Sequence, residues 1–213
     1  MSEAQPAAPF TVVATLTQTT DDAKAFTDAV SAQLRFMSTR RGFGRGTLAR
    51  SLRQPARHAA ISLWENAESY LKVTISSTFT NHIFRVVGPL AEGELERGSV
   101  VAESTSHHGE DASVIAVADF TLREDASAED FEAAFGKHAA FVRGRDGFQS
   151  HRLIRLELDR QRSYINLGWW RDADAYLAVV HSPEFEADTK TMGQLAKVDA
   201  DLYRVIATFA PSH

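Results

Sequence analysis

Two stretches of this chain, about 105 residues apart, carry the same residues in the same order, so whatever it folds into must be built twice. At an offset of 106, Trp64 meets Trp170, Ala67 meets Ala173, Tyr70 meets Tyr176 and Leu71 meets Leu177. Val73 with Val179, Ser76 with Ser182 and Phe79 with Phe185 continue the series. These are seven identities in positions 60–79, where unrelated sequences give about one, so chance is a poor explanation. Upstream the offset is 105: Phe26 meets Phe131, Gly42-Phe43 meets Gly147-Phe148, and Leu48 meets Leu153. The slip of one residue falls between Leu48 and Ala60, around Arg53-Gln-Pro-Ala56, where a turn absorbs an insertion cheaply.

Each half shows the same succession of hydrophobic periods. A β-rich run (Phe10 to Gln18; Ser113 to Leu122) leads to N-cap and first-turn acids at Thr20-Asp21-Asp22 and at Ser127 with Glu129-Asp130. The helices that follow carry Phe26, Val30, Leu34 and Met37, or Phe131, Phe135, His138 and Val142, on one face, and Gly42 and Gly147 are expected to cap them. Strands near 43–53 and 57–64, and near 148–157 and 162–170, form hairpins. A second helix starts at Glu65-Asn66 or Arg171-Asp172, and a last strand lies near 99–105 or 202–209. The order is βαββαβ twice, an α+β fold of ferredoxin-like units with both helices on one face of a four-stranded sheet.

The bare sheet face must be buried. In the third strand of each unit, Ala59, Ile61 and Leu63, or Ile165, Leu167 and Trp169, point one way. That apolar set suits packing sheet to sheet, so the chain is expected to be a dimeric α+β barrel within one polypeptide, a covalent pseudo-dimer. The mixed set, including Ala60 and Trp64 or Tyr164, Asn166 and Trp170, should face the helices and any pocket. Residues 1–9 read as a flexible tail, 10–105 as the first unit, 106–112 as a linker and 113–213 as the second. A further homodimer through exposed strand edges stays open.

Composition removes whole classes of function. A net charge of −5 offers no attraction to nucleic acid or an anionic membrane. The absence of cysteine excludes disulfides, thiolate metal sites and a cysteine nucleophile. No apolar run is long enough to span a bilayer, and the Ala/Pro-rich start lacks the pattern of a signal peptide, so a cytoplasmic protein is expected. Eight histidines are present, but none pairs at helical spacing with an acidic third ligand, so no metal site is expected. His107-His108 belongs to the linker reading.

The series Trp170, Asp172, Ala173, Tyr176 and Ser182-Pro-Glu-Phe185 resembles the antibiotic biosynthesis monooxygenase family, more clearly in the second half than in the first. The resemblance implies dimeric α+β barrels and, among activities, oxygenation of polyketide-type phenols or anthrones in antibiotic or secondary-metabolite biosynthesis. It implies an Asn and a Trp four residues apart on the third strand as catalytic groups, a pattern that Asn166 and Trp170 match. The first half has Ala60 where Asn166 stands, which marks it as a degenerate partner. Chemistry of this kind needs no cofactor beyond O2; some two-unit relatives instead use reduced FMN or FAD from a separate reductase, and the sequence leaves both open. Haem-degrading relatives require a histidine nine or ten residues past the strand tryptophan. Val179 and Val180 stand there, and His181 lies about 200° around the helix from Val179, so haem is disfavoured.

An aromatic small molecule is therefore the expected partner. Tyr164, Tyr176, His138, His181 and Arg152 are its candidate binding residues, although each also has a plain reading as a packed or surface side chain. Trp64 and Trp170 are equally well explained as core anchors. Two other functions use the same pocket: a non-oxidative cyclase or isomerase with His138 or His181 as base, and a ligand-binding protein without catalysis.

Overall fold

The computed structural model describes residues 8–105, 112–157 and 162–212. Most of the expected tail, and all of the expected linker except Ala112, lie outside these residues. The first βαββαβ succession is β1 (Phe10–Gln18), α1 (Ala23–Ser38), β2 (Phe43–Ser51), β3 (Arg57–Trp64), α2 (Ala67–Thr74), α3 (Ser77–His82) and β4 (Ala91–Thr105), with a π-helical turn at Ile83–Val87. The second is β5 (Val114–Leu122), α4 (Ala128–Arg143), β6 (Phe148–Leu156), β7 (Ser163–Trp170), α5 (Ala173–Val180), α6 (Pro183–Leu195) and β8 (Ala196–Phe209). Two compact units result, Met1–Val100 with Ile206–His213, and Val101–Val205.

Within each unit the pairing is ferredoxin-like. In the first, β3 and β4 flank β1 and β2 pairs with β3, all antiparallel. In the second, β7 and β8 flank β5 and β6 pairs with β7. Even the irregularities repeat: a bulge falls between Phe43 and Arg45 and again between Phe148 and Ser150. The extra residue resets which side chains face the helices. Phe148, His151 and Leu153 thereby share the helix-facing side of β6.

The repeated residues are packing residues. Phe43 meets Trp64 edge-on at 5.2 Å, and Phe148 meets Trp170 at 5.4 Å. Trp64 lies 5.7 Å from Tyr70, and Trp170 lies 5.5 Å from Tyr176. Phe26 lies tilted against His58 at 4.6 Å, and Phe131 against Tyr164 at 4.7 Å. Each such contact adds about 1 kcal/mol to the area it buries. Ile165 and Leu167, on the other face of β7, are also fully buried, as the apolar alternation requires.

Three local expectations change. The first helices end at Ser38 and Arg143, so Gly42 and Gly147 do not cap them. They take φ of +83° and +77° in the turns that open β2 and β6, with Phe43 N–H donating to Arg40 O and Phe148 N–H to Arg145 O. The expected single second helix is broken, because the Ser76 and Ser182 side chains each cap a new helix. The last strands begin earlier than read, at Ala91 and Ala196, since their exposed charged residues read as loop by hydropathy. Among the described residues no helix is long and apolar enough to cross a membrane.

Candidate active site

The helix-facing side of the second unit's sheet does not close against its helices. A cavity of about 390 Å³ lies between β5, β6, β7 and β8 below and α4, α5 and α6 above, within the range of pockets for drug-sized molecules. Phe120, Phe135, Phe148, Trp170, Val180 and Met192 are the large apolar side chains of its wall, with Phe185. Four nitrogen-bearing side chains interrupt this apolar lining: His138, His151, Asn166 and Trp170.

Three elements place them. Asn166 and Trp170 share one face of β7 by strand alternation. His151 reaches the cavity from β6 because it falls on the helix-facing side after the bulge. His138 sits on α4 one turn beyond Phe135, and its Nδ1 is 3.0 Å from Asp188 Oδ2 on α6. Aromatic rings confine both imidazoles: Phe135 lies 6.0 Å from His138 and 5.6 Å from His151, and Phe185 stands edge-on to His138 at 5.2 Å.

The polar groups are poorly satisfied within the protein. Asn166 Oδ1 and His151 Nδ1 are buried and complete no hydrogen bond among the described residues. Asn166 nevertheless lies near enough to His151 to favour its protonation, and this is outweighed by burial and by the neighbouring His138, which push the His151 pKa down to about 4. His138 is also lowered, by burial, against the opposing pull of Asp188. Both rings are therefore neutral near pH 7. An unpaired buried amide oxygen costs about 1–3 kcal/mol, which a ligand donor would recover.

The indole of Trp170 differs from its repeat partner. In the first unit Trp64 Nε1 donates to Ser62 Oγ at 3.0 Å. The second unit has Gly168 in that place, where an added Cβ would stand only 3.2 Å from Trp170 Nε1. The indole N–H of Trp170 is thus left for something else. The first unit also differs at the other three positions. Ala60 replaces Asn166, Gln33 replaces His138, and Gly46 replaces His151, with Phe43, Leu34 and Phe209 crowding the space a Cβ on Gly46 would take.

The other candidates from sequence divide. Tyr176 lines the cavity, its phenol held above the usual range by burial and then by Asp201. Tyr164 does not line it. The residue is fully buried beneath Phe131, and its hydroxyl donates to Glu132 Oε1 at 2.8 Å, beside Arg155 on the same carboxylate. Burial and then Glu132 push that phenol up to about 12, so it is a structural anchor. Arg152 falls on the opposite face of β6 from His151 and pairs with Glu103 at 3.1 Å. His181 is the exposed residue that ends α5, outside the cavity. No group of three or more acidic or histidine side chains suited to a metal occurs among the described residues. His151 escaped sequence reading. The offset that exposed Ala60 against Asn166 also sets Gly46 against His151, and that mismatch was the available signal.

Residues 113–188 match the model of the antibiotic biosynthesis monooxygenase family, so the second half carries a domain of that family. Deoxynogalonate monooxygenase of Streptomyces nogalater is 32% identical over 74 residues, which are 35% of this chain; the chain spans 62% of that enzyme's length. A protein of Fusobacterium nucleatum shares the fold across nearly the whole chain, with a TM-score of 0.79 at 13% identity over 97% of this chain and 96% of the other. The cofactor-independent oxygenase SnoaB of Streptomyces nogalater is 31% identical over 43% of this chain and 90% of its own, with a TM-score of 0.40.

Proposed function

We propose that this chain, whose residues 113–188 form an antibiotic biosynthesis monooxygenase domain, oxidises a polycyclic aromatic phenol or anthrone with O2 in the second unit's cavity. The observation that carries the reading is the convergence of Asn166, Trp170, His138 and His151 in a mainly apolar cavity, at positions where the first unit has nothing equivalent except Trp64. The monooxygenase activity named for the S. nogalater relative supports it for the matched segment.

The chemistry suits such a site. Loss of a proton turns an anthrone into an electron-rich anion, whose oxygen bears much of the charge. The carbon passes one electron to O2, the two radicals combine into a hydroperoxide, and loss of the remaining C–H proton breaks the O–O bond. One oxygen atom stays as a carbonyl and the other leaves as water, so electrons balance without flavin or metal. The Asn166 amide and the Trp170 N–H offer neutral donors for the oxygen on which charge develops, in surroundings of low dielectric. Phe135, Phe148 and the indole face give flat walls for fused rings. The first unit serves as a degenerate scaffold.

Oxygen uptake with an anthrone such as dithranol, measured with and without reduced FMN, tests the reading. Uptake without flavin is expected. Uptake only with reduced FMN would reject the cofactor-free mechanism, and no uptake with either would reject the oxygenase.

A further inference from the structure

Deprotonation needs a base, and neither Asn166 nor Trp170 is one. Among the side chains lining the cavity, three carry a titratable group: His138, His151 and Tyr176. Tyr176 is held in its protonated form by burial. His151 is a weak base, because its ring is buried beside a second imidazole, and Asn166, which favours its charge, does not offset this. His138 has what the others lack, a carboxylate 3.0 Å from one ring nitrogen.

We propose, on the oxygenase reading above, that His138 is the general base that opens the reaction, and that Asp188 positions it. A carboxylate accepts only, so Nδ1 of His138 carries the proton and donates to Asp188 Oδ2. The neutral tautomer then has its lone pair on Nε2, the nitrogen remote from Asp188. The substrate's acidic O–H or ring-activated C–H bond breaks, its electron pair stays on the substrate, and the proton forms an N–H bond at Nε2. Asp188 stabilises the resulting imidazolium, and the same proton is available later to the departing peroxide oxygen as water forms. His151, kept neutral by its surroundings, lets a positive charge appear on only one of the two rings. Arg143 on α4 acts on His151 in the same sense.

The pair has no counterpart in the first unit, where His138 is Gln33, an amide buried without a hydrogen bond among the described residues and without basic character. The dyad also spans α4 and α6, so the base and the roof of the cavity are held by one contact.

The test separates proton transfer from oxygenation. Under nitrogen, an anthrone deuterated at its methylene carbon should lose deuterium to buffer faster with the protein than without it, as followed by NMR. His138→Gln should slow that exchange by about 100-fold, with binding of an anthraquinone, which has no methylene proton to lose, retained. Asp188→Asn should slow it less and move the acid limb of its pH profile to lower pH, because Asp188 raises the proton affinity of His138. A structural role alone would not move that limb. Exchange by His138→Gln at the wild-type rate, no catalysed exchange by the wild type, or an unmoved limb in Asp188→Asn would each overturn the assignment. Exchange under nitrogen without oxygen uptake in air would reject the oxygenase and leave the base standing. Uptake in air that ignores His138→Gln would do the reverse.

Discussion

Asn166 Oδ1 and His151 Nδ1 are buried without a hydrogen bond among the described residues, which costs stability unless a partner is supplied. On the proposed mechanism, Asn166→Ala should lower kcat by about 100-fold in an oxygen-uptake assay, the usual loss for one donor to a developing oxyanion. Ala60→Asn should leave turnover unchanged, and the pair of variants checks which unit works. His151 adds a prediction about pH. Its folded pKa of about 4 lies below the unfolded value near 6.5, so the unfolded chain binds more protons between the two. Stability should fall as pH drops from 6.5 toward 4, by about 3 kcal/mol from this residue, and His151→Gln should flatten that limb in urea titrations.

At the scale of elements, the turns and caps decide where the site residues land. Gly147 holds a φ of +77°, and a Cβ there would stand 2.4 Å from the Ala175 Cβ. Gly147→Ala should therefore cost about 2–4 kcal/mol, from the left-handed backbone and the overlap together, read from the denaturation midpoint. Strand alternation correctly put Asn166 and Trp170 on one face of β7. Alternation in β6 left Arg152 a pocket candidate, because it could not reveal the bulge after Phe148, which depends on pairing with β7 rather than on local residue types. Ser76 and Ser182 are residues that commonly cap helices, but residue type alone does not show that a helix breaks there. α6 brings Asp188 to His138, a contact fifty residues apart in sequence that no spacing rule contains.

At the scale of the whole molecule, the duplication has diverged from structure toward function. Packing residues are kept in both units: Trp with Tyr, Phe with Trp, and the turn glycine. The polar cavity residues His138, His151 and Asn166 are not, since Gln33, Gly46 and Ala60 stand in their places. The compact units also differ from a simple cut between the repeats, since Ile206–His213 belong with the first. Phe209 packs on the first unit's core, and Ser212 N–H donates to Ser38 O at 3.0 Å. Truncation after Val205 should thus destabilise the first unit by about 1–3 kcal/mol, seen as faster proteolysis within residues 10–100. The order of elements, the repeat and the faces of β3 and β7 were determined by sequence alone, because period and residue type encode local geometry. Which polar groups meet was decided only by the tertiary structure. His138, Asp188, His151 and Asn166 lie on four different elements, and their distances depend on a bulge, a helix break and the packing of helices on the sheet, none of which is a local property of the chain.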